Sequence, residues 1–213
     1  MGQEIDLLQF PHVTRTLGTR TEEHRAIARR FDKEFFDGSR DTGYGGYVYD
    51  GRWVAVAQRL KRHYGLRRGA RVLDIGCAKG FLVHDFVNEG LNAWGLDVSG
   101  YALAHAYGLK TSRQLTHRLM HRSAVDIPLL KYDLIVSINS LHNLPRDELA
   151  ETLKKISERS RHAYITMDAY RTDDERARME AWNLTAKTIM HVDEWVAFFA
   201  ECGYTGDYSW FMP

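Results

Sequence analysis

The sequence predicts an α/β protein with a doubly wound, mostly parallel sheet. Apolar runs of strand type alternate with runs of helix type, a glycine turn joins the first of these strands to a helix, and polar residues follow several strands. The chain of 213 residues is long enough to bury a sizeable core. We expect residues 1–50 to form an N-terminal extension and residues 51–213 to form the main domain, with a shortened C-terminal edge.

The N-terminal extension is predicted to contain a helix and a lid. Thr19 and Glu22 have the spacing of a capping box for an amphipathic helix that runs to about Phe36. Residues 37–51 are rich in glycine and tyrosine, a composition that forbids a regular helix and indicates a shaped loop. Residues 52–64 then have the pattern of the helix that precedes the first core strand.

Strands and helices alternate through the main domain. Strands that alternate with helices form a parallel sheet covered on both faces, and ligands of such sheets bind beyond the carboxyl ends of the strands. The strands are predicted at 71–75, 92–97, 117–121, 132–138 and 162–167. The helices are predicted at 80–89, 100–106, 146–158, 174–185 and 192–202.

The turn after the first strand is the most informative segment of the chain. Gly76 and Gly80 frame it, and a strand that passes through such a turn into a helix brings backbone N–H groups close to a ligand. Asp74 stands just before the turn, which suits a ligand with a positive or hydrogen-donating end better than a pyrophosphate. Three polar residues follow later strands and are expected to converge on this turn, namely Asp97, Asp126 and Asn139.

A nicotinamide-dependent dehydrogenase is the alternative explanation of this turn. Its fingerprint requires Gly-x-Gly-x-x-Gly at the start of the helix. After Gly76, the positions of the second and third glycines are occupied by Ala78 and Phe81. The position of Asp97 is compatible with a dehydrogenase and does not exclude one. The two missing glycines are the observation that disfavours the dehydrogenase.

Four segments in order resemble the motifs of class I S-adenosylmethionine (SAM) dependent methyltransferases. They are Val72–Gly80, Gly95–Ser99, Ser123–Pro128 and Tyr132–Asn139. The resemblance covers roughly residues 50–212 and implies the class I methyltransferase fold, SAM as cofactor and S-adenosylhomocysteine as product. The common pattern of that family ends in a reversed hairpin, for which only residues 204–213 remain. Either a single edge strand closes the sheet, or part of a partner or substrate covers the edge.

The resemblance also implies a cofactor site at these motifs. The glycine turn would hold the methionine part, Asp74 would orient its ammonium group, Asp97 would accept from the ribose hydroxyls and Asp126 from the adenine amino group. The full set of expected cofactor residues is Asp74, Gly76, Cys77, Gly80, Asp97, Val98, Asp126 and Asn139.

Transfer of a methyl group to an alcohol also requires a group that takes the alcohol's proton. His142 follows the fourth strand and is the first candidate, because the proton affinity of histidine suits a base near neutral pH. Asp168 at the end of the fifth strand is the second candidate, either as a base or, with Asp173 and Asp174, as a ligand of a divalent ion. Acids at the head of a helix also complement its dipole, and we therefore expect no metal.

Polar and aromatic residues outside the cofactor motifs are candidates for binding the acceptor or closing over it. They are Tyr44, Tyr47, Asn143, Tyr170, Arg171, Trp182, Lys187 and His191. The segments around them resemble small bacterial methyltransferases found with polysaccharide, nucleotide-sugar or natural-product genes. That resemblance implies a hydroxylated small-molecule acceptor and methylation at oxygen.

Composition limits the remaining classes of function. The net charge of +1 and the lack of a basic stripe disfavour a nucleic-acid partner. No apolar run is long enough for a membrane span, and the two cysteines indicate a reduced, cytoplasmic setting. We expect a monomer or homodimer. Two alternatives stay open, a non-catalytic SAM-binding or interaction protein and a methyltransferase that acts on protein or nucleic acid.

Overall fold

The structure is a computed structural model that describes residues 2–11, 20–108, 115 and 117–212. Its strands are β1 (Arg71–Ile75), β2 (Asn92–Asp97), β3 (Leu119–His121), β4 (Tyr132–Ile138), β5 (Ser160–Tyr170), β6 (Met190–His191) and β7 (Asp207–Phe211). Its α-helices are α1 (Glu22–Ala28), α2 (Lys33–Phe36), α3 (Arg52–His63), α4 (Phe81–Asn88), α5 (Gly100–Ala104), α6 (Arg146–Arg159), α7 (Asp173–Trp182) and α8 (Val192–Glu201), and a 3-10 turn spans Leu141–Asn143.

The strands form one seven-stranded sheet in the order β3-β2-β1-β4-β5-β6, with β7 also paired to β5. Each pairing of these strands is parallel, which confirms the predicted fold class. One face is covered by α3 and α4, whose Leu60 and Phe86 are fully buried. The other is covered by α6 and α8, which bury Leu153 and Trp195. The strand order reverses between β1 and β4, which places a binding site beside the end of β1.

The C-terminal segment adds a single strand to the sheet, as in one of the two alternatives that the sequence leaves open, but this strand is not the outermost element of its edge. β7 pairs with the middle of β5, and the chain's own N-terminal segment continues the ladder outward. The backbone N–H of Ile5 donates to Tyr208 O at 2.8 Å, and Tyr208 N–H donates to Gln3 O at 3.1 Å. Residues 3–5 therefore occupy the edge that a second strand of a hairpin would fill.

The prediction of one N-terminal helix that runs to Phe36 is wrong. The segment forms two helices, because Phe31 has a left-handed backbone with φ of +51° and the Asp32 side chain then caps α2. Thr19 lies outside the described residues. The capping box of α1 uses Thr21 with His24 in place of the predicted Thr19 with Glu22.

The remaining differences are shifted element ends and one additional strand. The predicted helix 174–185 spans 173–182, because Asn183 is extended and its side chain turns the chain away from the helix. The predicted strand 162–167 extends over 160–170, and β3 is shorter than 117–121. The two-residue β6 has no counterpart in the prediction. None of the helices in the described part of the chain is both long and apolar enough to cross a membrane.

Candidate functional site

The glycine turn after β1 has an unusual backbone. Gly76, Ala78 and Gly80 all have positive φ values, of +78°, +49° and +71°. The N–H groups of Gly76 and Cys77 both donate to Leu96 O, at 2.8 and 3.1 Å, so the turn is tied to the end of β2. These two bonds fix the position of the turn relative to β2.

Gly76→Ala is expected to cost more stability than the matched variant Gly65→Ala. Both glycines have positive φ, so either variant bears about 1 kcal/mol for the left-handed backbone. A Cβ at Gly76 would lie 2.0 Å from Ser140 Oγ, whereas nothing lies within 4 Å of one at Gly65. Overpacking should add about 1–3 kcal/mol at Gly76 alone. Urea denaturation measures the difference, and equal losses would contradict this close packing.

Two buried carboxyl groups lie beside the turn. Asp74 is 5% exposed, and burial, with the charge of Asp97 as a second cause, raises the pKa of Asp74 to about 8. The Asp97 carboxylate accepts from Ala78 N–H and from Ser99 N–H, each at 2.7 Å. Burial raises the pKa of Asp97, and these two N–H groups oppose that rise. A carboxylate has about four acceptor sites, so Asp97 keeps capacity for further donors.

The predicted Gly/Tyr-rich loop lies against the same turn. The ring of Tyr47 stacks on Phe81, the first residue of α4, with centroids 4.8 Å apart and planes 14° apart. Tyr44 contacts Tyr47 at a centroid distance of 4.4 Å. Burial is the main cause that raises the pKa of Tyr47, and the nearby charges of Asp74 and Asp97 contribute. Tyr47 therefore keeps its hydroxyl proton and lies on the side of the two acids.

Asp37 connects this loop to the turn, a contact that sequence reasoning missed. Lys79, inside the glycine turn, places Nζ 2.7 Å from both carboxylate oxygens of Asp37. Tyr101 OH donates to the same carboxylate at 2.8 Å, and Tyr47 N–H donates to it at 3.2 Å. These donors hold the pKa of Asp37 below its usual value, although burial opposes them. The only sequence feature that could have indicated this contact is the presence of a lysine, Lys79, inside the glycine turn.

The two candidate bases are neighbours across β4 and β5. His142 Nδ1 lies 3.5 Å from Asp168 Oδ1, and the side chains are 4% and 2% exposed. The backbone N–H of Asp168 donates to the same Nδ1 at 3.3 Å. Burial lowers the pKa of His142 to about 3, so the imidazole is neutral at physiological pH. The backbone N–H beside Nδ1 favours the tautomer with its proton on Nε2, and the Asp168 carboxylate beside the same nitrogen favours a proton on Nδ1.

Two amide side chains accompany this pair. Asn139 has φ of +50°, and its N–H donates to Thr166 Oγ1, which donates back to Asn139 Oδ1, each at 2.7 Å. Asparagine adopts the left-handed backbone more readily than most other non-glycine residues, and these two bonds hold Asn139 there. The Oδ1 atom of Asn143 is buried and has no hydrogen-bond partner within the described ranges. Such an atom favours a ligand that donates a hydrogen bond.

Of the other predicted residues, several contact the rest of the chain and three are exposed. Arg171 pairs with Glu4 at 2.9 Å, and the ring of His191 caps α8 by accepting from Asp193 N–H at 3.2 Å. Trp182 packs against Phe211. The ring of Tyr170 lies near the ring of His191. Three of the predicted residues are exposed, namely Val98, Asp126 and Lys187. Cys77 is buried, and its sulfur packs toward Gly95.

The two acids considered with Asp168 as metal ligands, Asp173 and Asp174, lie at the start of a helix. Asp173 and Asp174 lie in the first turn of α7, which Thr172 caps. Within the part of the chain that the structure describes, no group of three or more His, Cys, Asp or Glu side chains is placed to hold a metal ion.

Comparison with known proteins shows similarity to methyltransferases in sequence and in fold. A curated protein from Geobacillus sp. (strain WCH70), named as a methyltransferase, is 27% identical over 111 residues. That match covers 50% of this chain and 44% of the relative, so it spans less than half of the relative's length.

Two solved structures share the fold. A Haemonchus contortus phosphoethanolamine N-methyltransferase 2, in complex with phosphomonomethylethanolamine and S-adenosylhomocysteine, has a TM-score of 0.58 at 16% identity and covers 83% of this chain and 44% of that one. A Haloferax volcanii methyltransferase in complex with the Trm112 activator has a TM-score of 0.54 at 17% identity and covers 71% and 72%.

The family assignment rests on a longer match. Residues 49–204 match the methyltransferase domain family, and this range contains the glycine turn, both buried acids and the His142–Asp168 pair. The chain therefore belongs to the methyltransferase domain family.

Proposed function

We propose that this chain transfers the methyl group of SAM to an oxygen atom of a small hydroxylated acceptor, such as a sugar or a natural product. The observation that carries the proposal is the pair of buried acids, Asp74 and Asp97, beside a pre-shaped glycine turn. Buried carboxyl groups with raised pKa values favour a ligand that brings positive charge or hydrogen-bond donors.

The residues around the turn fit SAM. Its ammonium and sulfonium groups are cationic, and its ribose offers two hydroxyl donors. Asp74 would face the ammonium group, the Asp97 carboxylate would accept from the ribose, and the Gly76–Gly80 backbone would adjoin the methionine part. Asp126, Val98 and Asn139 would complete the site around the adenine and the methionine end. The first 50 residues would act as a lid over residues 51–213, since Tyr47 packs on the turn.

The acceptor would bind on the His142 side of the turn. When bound, SAM supplies a methyl group that its sulfonium activates toward in-line attack. His142 is neutral, as a base must be before it takes a proton, and would accept the acceptor's proton on Nε2 with its own ring proton on Nδ1. Burial weakens the imidazole as a base, and the Asp168 carboxylate beside Nδ1 would offset that effect by stabilising the imidazolium. The unpartnered Asn143 Oδ1 would accept from a second hydroxyl. A hydroxyl-rich acceptor satisfies both groups.

The acceptor class is tested by release of S-adenosylhomocysteine from a panel of compounds. The panel holds sugars, sugar nucleotides, phenolic natural products, small amines, RNA and a protein extract. We expect turnover with a hydroxylated small molecule and loss of it in His142→Gln, with SAM affinity retained. Turnover only with amines, RNA or protein would contradict the proposed acceptor. SAM binding without turnover on any member would favour the non-catalytic alternative.

Asp74→Asn is expected to stabilise the ligand-free protein near pH 8 while it weakens SAM binding. The folded-state pKa of about 8 exceeds the ordinary value of 3.8, so the folded protein holds a proton that the unfolded chain has released between these values. The contribution of Asp74 to stability therefore falls as pH rises through this window. Thermal melts should show a higher Tm for the variant near pH 8 and a smaller difference near pH 5. A pH-independent difference would contradict the raised pKa, and the exposed Asp147→Asn is the control.

A further inference from the structure

A third side chain joins the His142–Asp168 pair. Asn183, which follows α7, is 7% exposed and donates from Nδ2 to Asp168 Oδ2. Its Oδ1 accepts from Thr185 N–H at 2.9 Å and from Ala186 N–H at 2.7 Å. Two backbone donors thus fix the amide orientation, because a flipped amide would place its NH2 group against them. The Asn183 donor therefore has one direction, toward Asp168.

The Asp168 carboxylate is fixed in turn. Asn183 holds Oδ2, and Trp195 Nε1 donates to the Asp168 carbonyl oxygen at 3.0 Å. This leaves Oδ1 facing His142 Nδ1 at 3.5 Å, slightly farther than the backbone N–H that lies 3.3 Å from the same nitrogen. Two groups therefore compete for Nδ1. The backbone N–H stabilises the tautomer with its proton on Nε2, and the carboxylate stabilises the tautomer with its proton on Nδ1.

Only one of these tautomers is able to act as the base. A proton taken from an acceptor hydroxyl must go to Nε2, so the ring proton must already be on Nδ1. The proton then forms an N–H bond at Nε2 as the acceptor's O–H bond breaks, and the resulting imidazolium donates from Nδ1 to the Asp168 carboxylate. The His142–Asp168 pair therefore works as a base only when Asp168 Oδ1 is held close to His142 Nδ1.

We infer that Asn183 is a positioning residue, which makes the base-competent tautomer of His142 accessible by holding Asp168 Oδ1 toward Nδ1. The catalytic role of Asn183 rests on the proposed function. The tautomer of His142 does not, because it is a property of the protein without substrate or cofactor. Arg25 of α1 extends the network, since its Nε donates to Asn183 O at 3.3 Å and its Nη2 to Glu180 O at 3.0 Å. The first helix of the extension thus supports the residue that orients the acid.

The test is the 15N spectrum of His142 at pH 7 in histidine-labelled protein, assigned with His142→Gln. We expect the wild type to show intermediate shifts at both ring nitrogens, as two exchanging tautomers give. In Asn183→Ser we expect the pure Nε2–H pattern, because serine keeps an acceptor for Thr185 N–H but cannot reach Asp168. Asp168→Asn should give the same pattern, and the exposed Asn88→Asp should leave the wild-type spectrum unchanged.

Two results would overturn the inference, namely a pure Nε2–H spectrum in the wild type or a wild-type spectrum in Asn183→Ser. The wild-type spectrum tests the inference even if Asn183→Ser does not fold. The spectrum needs neither SAM nor an acceptor, so failure of SAM binding would remove the proposed function and leave the tautomer result standing. Once an acceptor is known, Asn183→Ser should lower kcat at least tenfold with the KM for SAM unchanged, which a purely structural role would not produce.

Discussion

Asp97→Asn should weaken SAM binding at least tenfold, which corresponds to about 1.4 kcal/mol or more. Both backbone donors, Ala78 N–H and Ser99 N–H, point at the Asp97 carboxylate. An asparagine must turn its NH2 group toward one of them, so the turn and the start of α5 lose their common acceptor. The variant also loses the charge that strengthens bonds from the ribose hydroxyls. Isothermal titration calorimetry with SAM measures the effect.

The matched control for this variant is Asp133→Asn. Asp133 is also a carboxylate that accepts from a backbone N–H, that of Arg71 at 2.7 Å, but it lies at the opposite end of the sheet. We expect Asp133→Asn to lower the Tm and to leave SAM affinity unchanged. If both variants weakened SAM binding equally, the loss would reflect general destabilisation and Asp97 would have no direct part in binding.

Breaking the Asp37–Lys79 pair should destabilise the protein by about 1–3 kcal/mol per single variant. The Lys79 and Asp37 side chains are 10% and 26% exposed, so each variant leaves a largely buried group without its main partner. In the cycle of Asp37→Asn, Lys79→Met and the double variant, we expect a coupling free energy of about 1 kcal/mol or more by urea denaturation. SAM affinity should fall in parallel, because the pair holds the Gly/Tyr-rich loop on the glycine turn.

The exposed pair Arg176–Glu180 provides the comparison for this cycle. Its side chains are 55% and 58% exposed and lie at i and i+4 on α7, so its coupling should not exceed about 0.5 kcal/mol. A coupling at Asp37–Lys79 no larger than this, with SAM affinity unchanged, would show that the pair does not hold the loop in place.

Much of the sheet could be predicted because its strands are buried on both faces. The bounds 71–75, 92–97 and 132–138 agree with β1, β2 and β4, whose apolar runs are framed by glycine or polar residues. The pairing of residues 3–5 with β7 could not be predicted, because it joins the two ends of the chain through backbone atoms that carry no sequence pattern. Phe31 broke the first helix for a similar reason, since its carbonyl accepts from Ser99 Oγ, far along the chain.

Some residues of the candidate site could be predicted from the sequence and others could not. Residues at strand ends, such as Asp97, His142 and Asp168, could be nominated because parallel strands all end at one edge of the sheet. Asn183 and Asp37 could not, because each acts through a partner that is distant in sequence and neither of them follows a predicted strand. The tautomer of His142 depends on the backbone N–H and the carboxylate of Asp168 in β5, and no residue type reports how close these groups lie to the ring.

A crystal structure of the chain with S-adenosylhomocysteine would test the central claim most directly. We expect the ribose hydroxyls to donate to the Asp97 carboxylate, the amino-acid end to lie between Asp74 and the Gly76–Gly80 turn, and the sulfur to face His142. A nucleoside bound away from Asp97, or bound with its amino-acid end remote from Asp74, would contradict the assignment of these two acids to the cofactor.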